Sequence, residues 1–263
     1  MDLQLSYVSP VLGVYLEGLE ITPGNLQEAA IQIRHLLDQH LVVIIRQQHL
    51  SPVLQRDLVG QFGPLFLHHA DEGVIYADDI KEVLEMRKEP DGTRLFGGSD
   101  WHADVTFQNP AAYVSALQAR ILPPLGGDTG FASNIAAFEA LTPAMQEMLT
   151  PLSAVHSYDG PHAPDHPTQT ATHPIVRTHP VSGKKGLYIN HMFAKRFSGM
   201  NEYESRPLIE FLDRHMSKPE FTFRHRWQQG DLVFWDNRFT LHYPINDFTG
   251  HLRLLLRCTA LES

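Results

Sequence analysis

Three side chains stand out by type and spacing: His102 and Asp104, within Trp101-His102-Ala103-Asp104, and His242 far downstream. Two imidazoles and one carboxylate on a single ion, with coordination positions left open, suit a non-haem Fe(II) oxygenase better than any other common site. The His-x-Asp tripeptide is cheap on its own. With 16 histidines and 16 aspartates in 263 residues, chance supplies about one, and the chain carries a second, His69-Ala70-Asp71. Setting separates the two. Trp101, Ala103, Val105 and Phe107 alternate with His102, Asp104 and Thr106, which predicts a half-buried strand. Residues i and i+2 of a strand share a face about 6.6 Å apart, so both side chains could converge on one ion. His69-Ala70-Asp71 instead follows Gln61-Phe62-Gly63-Pro64, runs into Glu72-Gly73 and reads as a polar loop.

Past His242, Leu252-Arg253-Leu254-Leu255-Leu256-Arg257 places two arginines four residues apart on a predicted strand. They should share one face, about 13 Å apart along it. Facing inward among leucines they would be costly without anionic partners, and a bound dicarboxylate and an acidic substrate would supply them. An outward, solvated pair is the ordinary alternative.

The elements that must position these groups fall into two parts. Pro23 to His40 carries apolar residues at helical spacing, Leu41 to Ile45 reads as a buried strand, and Ser51-Pro52 caps a second helix ending near Gly63. From Glu82 the pattern changes to strands: Glu82 to Arg87, Ala111 to Ile121, Pro174 to Thr178, Gly186 to Asn190, Phe221 to Trp227, Asp231 to Trp235 and Leu252 to Thr259. Helical inserts begin near Asn134 and span Glu202 to His215. The fold class expected is mainly β with flanking helices (α+β), a double-sheet jelly roll rather than a parallel α/β sheet. Residues 157–173, rich in proline and histidine without sustained apolar periodicity, read as a polar lid over the pocket. A second metal site on His162, His166 and His173 matches no ligand spacing.

At 263 residues and 43% hydrophobic, one large domain over residues 1–263 is expected. A net charge of −9 disfavours a nucleic-acid or anionic-membrane partner, so an anionic ligand must be met locally. The single cysteine, Cys258, excludes an intrachain disulfide and a cysteine-rich zinc site. With no basic leader and no apolar run near the ~20 residues of a membrane span, a soluble, unprocessed cytoplasmic protein is expected.

The sequence resembles the Fe(II)/2-oxoglutarate-dependent dioxygenases of the taurine dioxygenase (TauD/TfdA) family. The blocks that carry the resemblance run in order over most of the chain. They are Trp101 to Phe107, Gly126-Gly127-Asp128-Thr129, Ala136 to Leu141, His173 to Pro180, Trp235-Asp236-Asn237-Arg238 and His242-Tyr243. The resemblance implies a double-stranded β-helix (jelly roll) core in which His102, Asp104 and His242 bind Fe(II). It also implies that Arg253 pairs with the distal carboxylate of 2-oxoglutarate, that Thr129 hydrogen-bonds to it, and that Arg257 lies near the anionic head of the prime substrate. By the same resemblance, O2 would be the oxidant, succinate and CO2 would be released, and a small anionic organic substrate would be hydroxylated. Relatives commonly associate, so a homo-oligomer is compatible.

His68, Phe193 and Arg257 match substrate-pocket positions of the taurine enzymes. Asp71 stands where they have tyrosine, Gly98 where they have asparagine, and Pro161-His162 near their lid phenylalanine. The resemblance therefore implies a small organic acid: a sulfonate, a sulfate ester or an aryloxyalkanoate. Taurine proper is the alternative. Two other classes compete. A mononuclear zinc hydrolase could use the same triad, but gives no reason for Arg253 and Thr129; a non-catalytic jelly-roll binding module would be expected to lack a ligand.

Overall fold

The computed structural model describes residues 3–67, 74–92, 100–158 and 169–263. The antiparallel pair β1 (Gln4–Tyr7) and β2 (Val14–Glu17) precedes α1 (Leu26–His40), β3 (Val42–Ile45) and α2 (Pro52–Val59). Then come β4 (Leu84–Lys88), β5 (Ala112–Ile121), β6 (Thr129–Ser133), α3 (Asn134–Glu139) and α4 (Pro143–Leu149). Strands β7 (Ser153–Tyr158), β8 (Gln169–Pro174), β9 (Val176–Thr178), β10 (Lys185–Leu187) and β11 (Ala194–Phe197) lead to α5 (Glu202–Met216). The chain closes with β12 (Thr222–His225), β13 (Leu232–Asp236), β14 (Thr240–Pro244) and β15 (Arg253–Leu261).

Seven strands form one sheet in the order β1-β2-β3-β13-β5-β15-β4, with smaller sheets β12-β6-β14, β11-β7-β8 and β10-β9. Two-residue periodicity divides the large sheet into two working faces. Val43, Ile45, Val114, Ala116, Leu232, Phe234, Leu256 and Cys258 pack on Ile33, Leu37 and Leu58 of α1 and α2. Their alternates Val42, Ile44, Leu117, Val233, Trp235 and Leu255 pack on Phe131 of β6, with Trp227 and Phe239. The second sheet thus lies against the inner face, and the rings of Phe131 and Trp235 meet at 5.6 Å. Because Leu255 points inward, so do Arg253 and Arg257, two residues to either side of it. The mainly β architecture with flanking helices agrees with the expectation, and no helix among the described residues is long and apolar enough to cross a membrane.

Local signals worked where the chemistry was explicit. Ser51 accepts from Leu54 N with Pro52 at the first helical position, and Asn201 with Glu204 forms a reciprocal capping box on α5. Two expectations need correction. Residues 101–107 are not a strand: only His102 makes a β-bridge, to His242, after which the chain turns with Val105 at φ +42°. All residues from His102 to Phe107 are buried, so the alternation of residue types did not report two faces. The ends of the lid expected over 157–173 are strands instead, since Ser157 and Tyr158 belong to β7 and 169–173 to β8, paired to each other; the rest of that expectation, residues 159–168, lies outside the described residues. β8 escaped notice because its buried positions are Ala171 and His173, small and polar rather than large and apolar.

His173 is no metal ligand candidate. Its Nε2 lies 2.9 Å from the Thr106 carbonyl oxygen and 3.1 Å from that of Gln108, and its diagonal neighbour on β7, His156, holds the Thr106 hydroxyl at 2.8 Å. These contacts fasten the turn that carries Asp104. Burial, then His173 and Arg177, pull the His156 pKa down to about 3, against about 6.5 in an unfolded chain. Below pH ~6.5 the unfolded chain binds a proton that the native protein refuses, so stability falls with pH by up to about 1.4 kcal/mol per unit until the folded pKa is reached. His156→Gln should flatten the melting temperature against pH between ~6.5 and ~4 by close to one proton's worth of slope. An unchanged slope would mean that His156 is not the group refusing the proton.

Candidate active site

The bridge between His102 and His242 is made by a reciprocal pair of backbone bonds, His102 N to His242 O at 3.0 Å and His242 N to His102 O at 2.8 Å. It places the two imidazoles 4.2 Å apart between centroids. The turn after His102 then swings Asp104 back, and its Oδ1 lies 3.9 Å from His102 Nε2 and 3.8 Å from His242 Nε2. Each gap is less than twice an ordinary metal–ligand bond of about 2.1 Å, so one ion can touch all three. These are the one such group of histidine, cysteine and acidic side chains found among the described residues, with ligand atoms within 4.8 Å of one another.

The protonation states suit a cation. His102 donates from Nδ1 to the Asp100 carbonyl at 2.9 Å, which leaves Nε2 with its lone pair. Burial lowers the His102 pKa, and burial with the adjacent His102 takes His242 down to about 3, so both rings are neutral. Burial alone would raise the Asp104 carboxyl, but Arg257, the two histidines and Ser115 outweigh it and hold it below the ordinary carboxylate range.

Asp104 is oriented from behind. Ser115 Oγ donates to Oδ2 at 2.7 Å, Asn237 Nδ2 donates to Ser115 Oγ at 2.9 Å, and Asn237 Oδ1 accepts from Asp104 N at 3.0 Å. Trp235 Nε1 fixes Asn237 through the same Oδ1 at 2.9 Å, while its ring packs 4.8 Å from His242. Oδ2 is thereby engaged and Oδ1 is left toward the histidines. Ser115 was missed in the sequence, though a lone serine in Ala112-Tyr113-Val114-Ser115-Ala116-Leu117 is the kind of polar interruption that marks a buried partner. Ser115→Ala should weaken metal binding about 10- to 100-fold while the variant melts as a folded protein; titration with a divalent ion checks this, and wild-type affinity would remove Ser115 from the role.

Next to the triad, Thr129, His242, Arg253 and Arg257 line one pocket with Met86, Leu117, Pro244 and Leu255. The two arginines differ in a way their spacing concealed. Arg257 has a carboxylate of the chain itself, with Nη1 3.0 Å from Asp104 Oδ1. Arg253 is 5% exposed and has no ion pair or hydrogen bond among the described residues, its Nε buried without a partner. Burial lowers its pKa to about 10, and only Asp128 opposes that; it stays charged at neutral pH. The loop beneath it is built for close approach. Gly127 has φ +71°, and a Cβ there would sit 3.1 Å from Arg253 Cδ. Among the expected substrate residues, Phe193 packs edge-on to His102 at 6.3 Å in an apolar cluster with Phe66, Val105 and Phe107. His68, Asp71, Gly98, Pro161 and His162 lie outside the described residues.

Comparison with known proteins gives the same direction. The profile of the taurine catabolism dioxygenase TauD, TfdA family matches residues 17–259. The chain belongs to the TauD/TfdA family. An alkylsulfatase of Acinetobacter baylyi is 33% identical over 98% of this chain and 84% of its own length. An alpha-ketoglutarate-dependent 2,4-dichlorophenoxyacetate dioxygenase of Cupriavidus pinatubonensis is 32% identical over 100% and 99%. The crystal structure of a taurine dioxygenase from Burkholderia xenovorans superposes with a TM-score of 0.83, at 31% identity over 99% of this chain and 90% of that one. As a TauD/TfdA member the chain is an oxidoreductase of the 2-oxoglutarate-dependent dioxygenase kind.

Proposed function

We propose that the chain, as one double-stranded β-helix domain over residues 1–263, uses Fe(II), 2-oxoglutarate and O2 to hydroxylate a small anionic organic substrate. A sulfate ester, a sulfonate or an aryloxyalkanoate is the class favoured. One observation carries the reading: His242 of a metal-ready His102–Asp104–His242 triad lines a pocket with a buried arginine that has no anion among the described residues. The ion, when bound, supplies O2 activation coupled to decarboxylation of the keto acid to succinate and CO2.

The chain's own residues do the rest. Arg253 grips the distal carboxylate of 2-oxoglutarate through its planar guanidinium, and Thr129 donates to the same group. Met86, Leu117 and Leu255 exclude water around the chelated end, where every polar contact is strengthened. Arg257 stands between Asp104 and the place where a substrate's anionic head would sit. Phe193 faces that substrate, and the rings of Phe107 and Tyr158 stacked at 4.9 Å extend an apolar wall suited to an alkyl or aryl tail. Such a wall favours sulfate esters and aryloxyalkanoates over taurine.

The test is succinate formation from 2-oxoglutarate across alkyl sulfates, sulfonates including taurine, and aryloxyalkanoates, with His102→Ala as control. Anaerobic Fe(II) plus 2-oxoglutarate should also give a weak visible charge-transfer band. No band from protein that binds the metal, or normal turnover by the control, overturns the reading.

A further inference from the structure

We propose that Trp227 is a positioning residue for the co-substrate, fixing the Thr129 hydroxyl as a proton donor into the Arg253 pocket; this rests on the function proposed above. Trp227 Nε1 donates to Thr129 Oγ1 at 3.0 Å, both side chains being buried. An indole N–H can only donate, so Thr129 spends a lone pair on it and keeps its single proton for another acceptor. Thr129 makes no other side-chain hydrogen bond among the described residues, and what it faces is the pocket it lines with Arg253. Accepting from the indole occupies one of the hydroxyl's two lone pairs and keeps its proton turned away from Nε1. The pocket then offers donors from both Thr129 and Arg253, and discriminates for an anionic end group over one that must itself donate.

Trp227 is held by its own chain of contacts. Its ring stands edge-on to His225 at 4.7 Å, and His225 lies opposite Thr129 in the β12–β6 ladder. The His225 Nε2 donates to Asp231 Oδ2 at 3.1 Å, because a carboxylate can only accept. The same oxygen accepts from Arg46 Nη1 at 2.6 Å and from Gln228 N at 2.8 Å. Arg46 in turn lies over Tyr15, 4.4 Å from the ring centre. One buried carboxylate thus ties Arg46, just past β3, to β12 and the 226–230 turn beside the indole, which restrains Trp227.

The experiment is 2-oxoglutarate binding, measured anaerobically by titration calorimetry on zinc-loaded Trp227→Phe, Thr129→Val and the double variant. Trp227→Phe keeps an aromatic ring, though a smaller one, and removes the donor, and should weaken binding roughly three- to tenfold. KM for 2-oxoglutarate should rise with it while kcat at saturation holds. Thr129→Val should cost as much or more, and the double variant no more than Thr129→Val alone, since the indole acts only through the hydroxyl. Wild-type affinity in Trp227→Phe, or a double variant that loses the product of the two single effects, overturns the proposal. Failure of the wild-type protein to bind 2-oxoglutarate would instead overturn the site reading beneath it. Should Trp227→Phe not fold, the wild-type indole resonances decide: the chain has three tryptophans, and Trp227→Phe is not needed to assign them when Trp101→Phe and Trp235→Phe identify the other two. The Trp227 N–H signal should move on adding 2-oxoglutarate, and a signal that stays put sinks the role.

Discussion

Asp104→Ala is expected to lower 2-oxoglutarate turnover roughly a thousandfold or more, the equivalent of several kcal/mol of lost metal assistance. The same change should also destabilise the protein, because it strips Arg257 of the carboxylate 3.0 Å away and Ser115 of its acceptor. Breaking one side of a buried ion pair costs about 3–5 kcal/mol. Asp104→Asn narrows the cause, since it keeps the shape and one oxygen facing Ser115 but removes the charge that both the metal and Arg257 need. Metal content after dialysis, turnover and melting temperature read out the two effects together. An Asp104→Ala protein that still retains metal and activity would place the centre elsewhere.

Arg253 gives the second large effect, and its two variants are expected to separate binding from stability. Arg253→Lys should raise the 2-oxoglutarate requirement about a hundredfold, because a point charge on a flexible stem replaces a planar fork making two charge-assisted bonds. Arg253→Leu should abolish binding and yet stabilise the unliganded protein by ~1–3 kcal/mol, since a buried charge without a counter-ion gives way to an apolar group beside Met86, Leu117 and Leu255. Opposite signs in two measurements on one variant are hard to obtain by accident. A fall in the melting temperature of ligand-free Arg253→Leu would show that the arginine has a structural role instead.

Much of this site was legible because its chemistry is carried by rare combinations. His102, Asp104, His242, Arg253 and Thr129 all reach one region, as their types and order suggested. The reason given for His102 and Asp104 was wrong in mechanism, however. They converge through one bridge and a turn at Val105, and backbone turns with positive φ at a β-branched residue have no sequence signature. Strands β6 and β14 were not predicted, because Thr129-Gly130-Phe131-Ala132-Ser133 and Thr240 to Pro244 mix glycine, proline and polar groups for the sake of the pocket they line. The supporting groups, Ser115 and Trp227 above all, act across separations of 11 and 98 residues from the side chains they hold, which only the folded chain reveals.

The guanidinium of Arg253, unpaired among the described residues, has a meaning beyond turnover. A ligand that binds only the folded state at one hundred times its dissociation constant lowers the population of opened molecules about a hundredfold, or about 2.7 kcal/mol. Proteases in a cell cut what opens. If Arg253 holds 2-oxoglutarate as proposed, the chain would therefore survive in proportion to that metabolite, and the supply of 2-oxoglutarate would govern how many copies of the enzyme persist as well as how fast each one works.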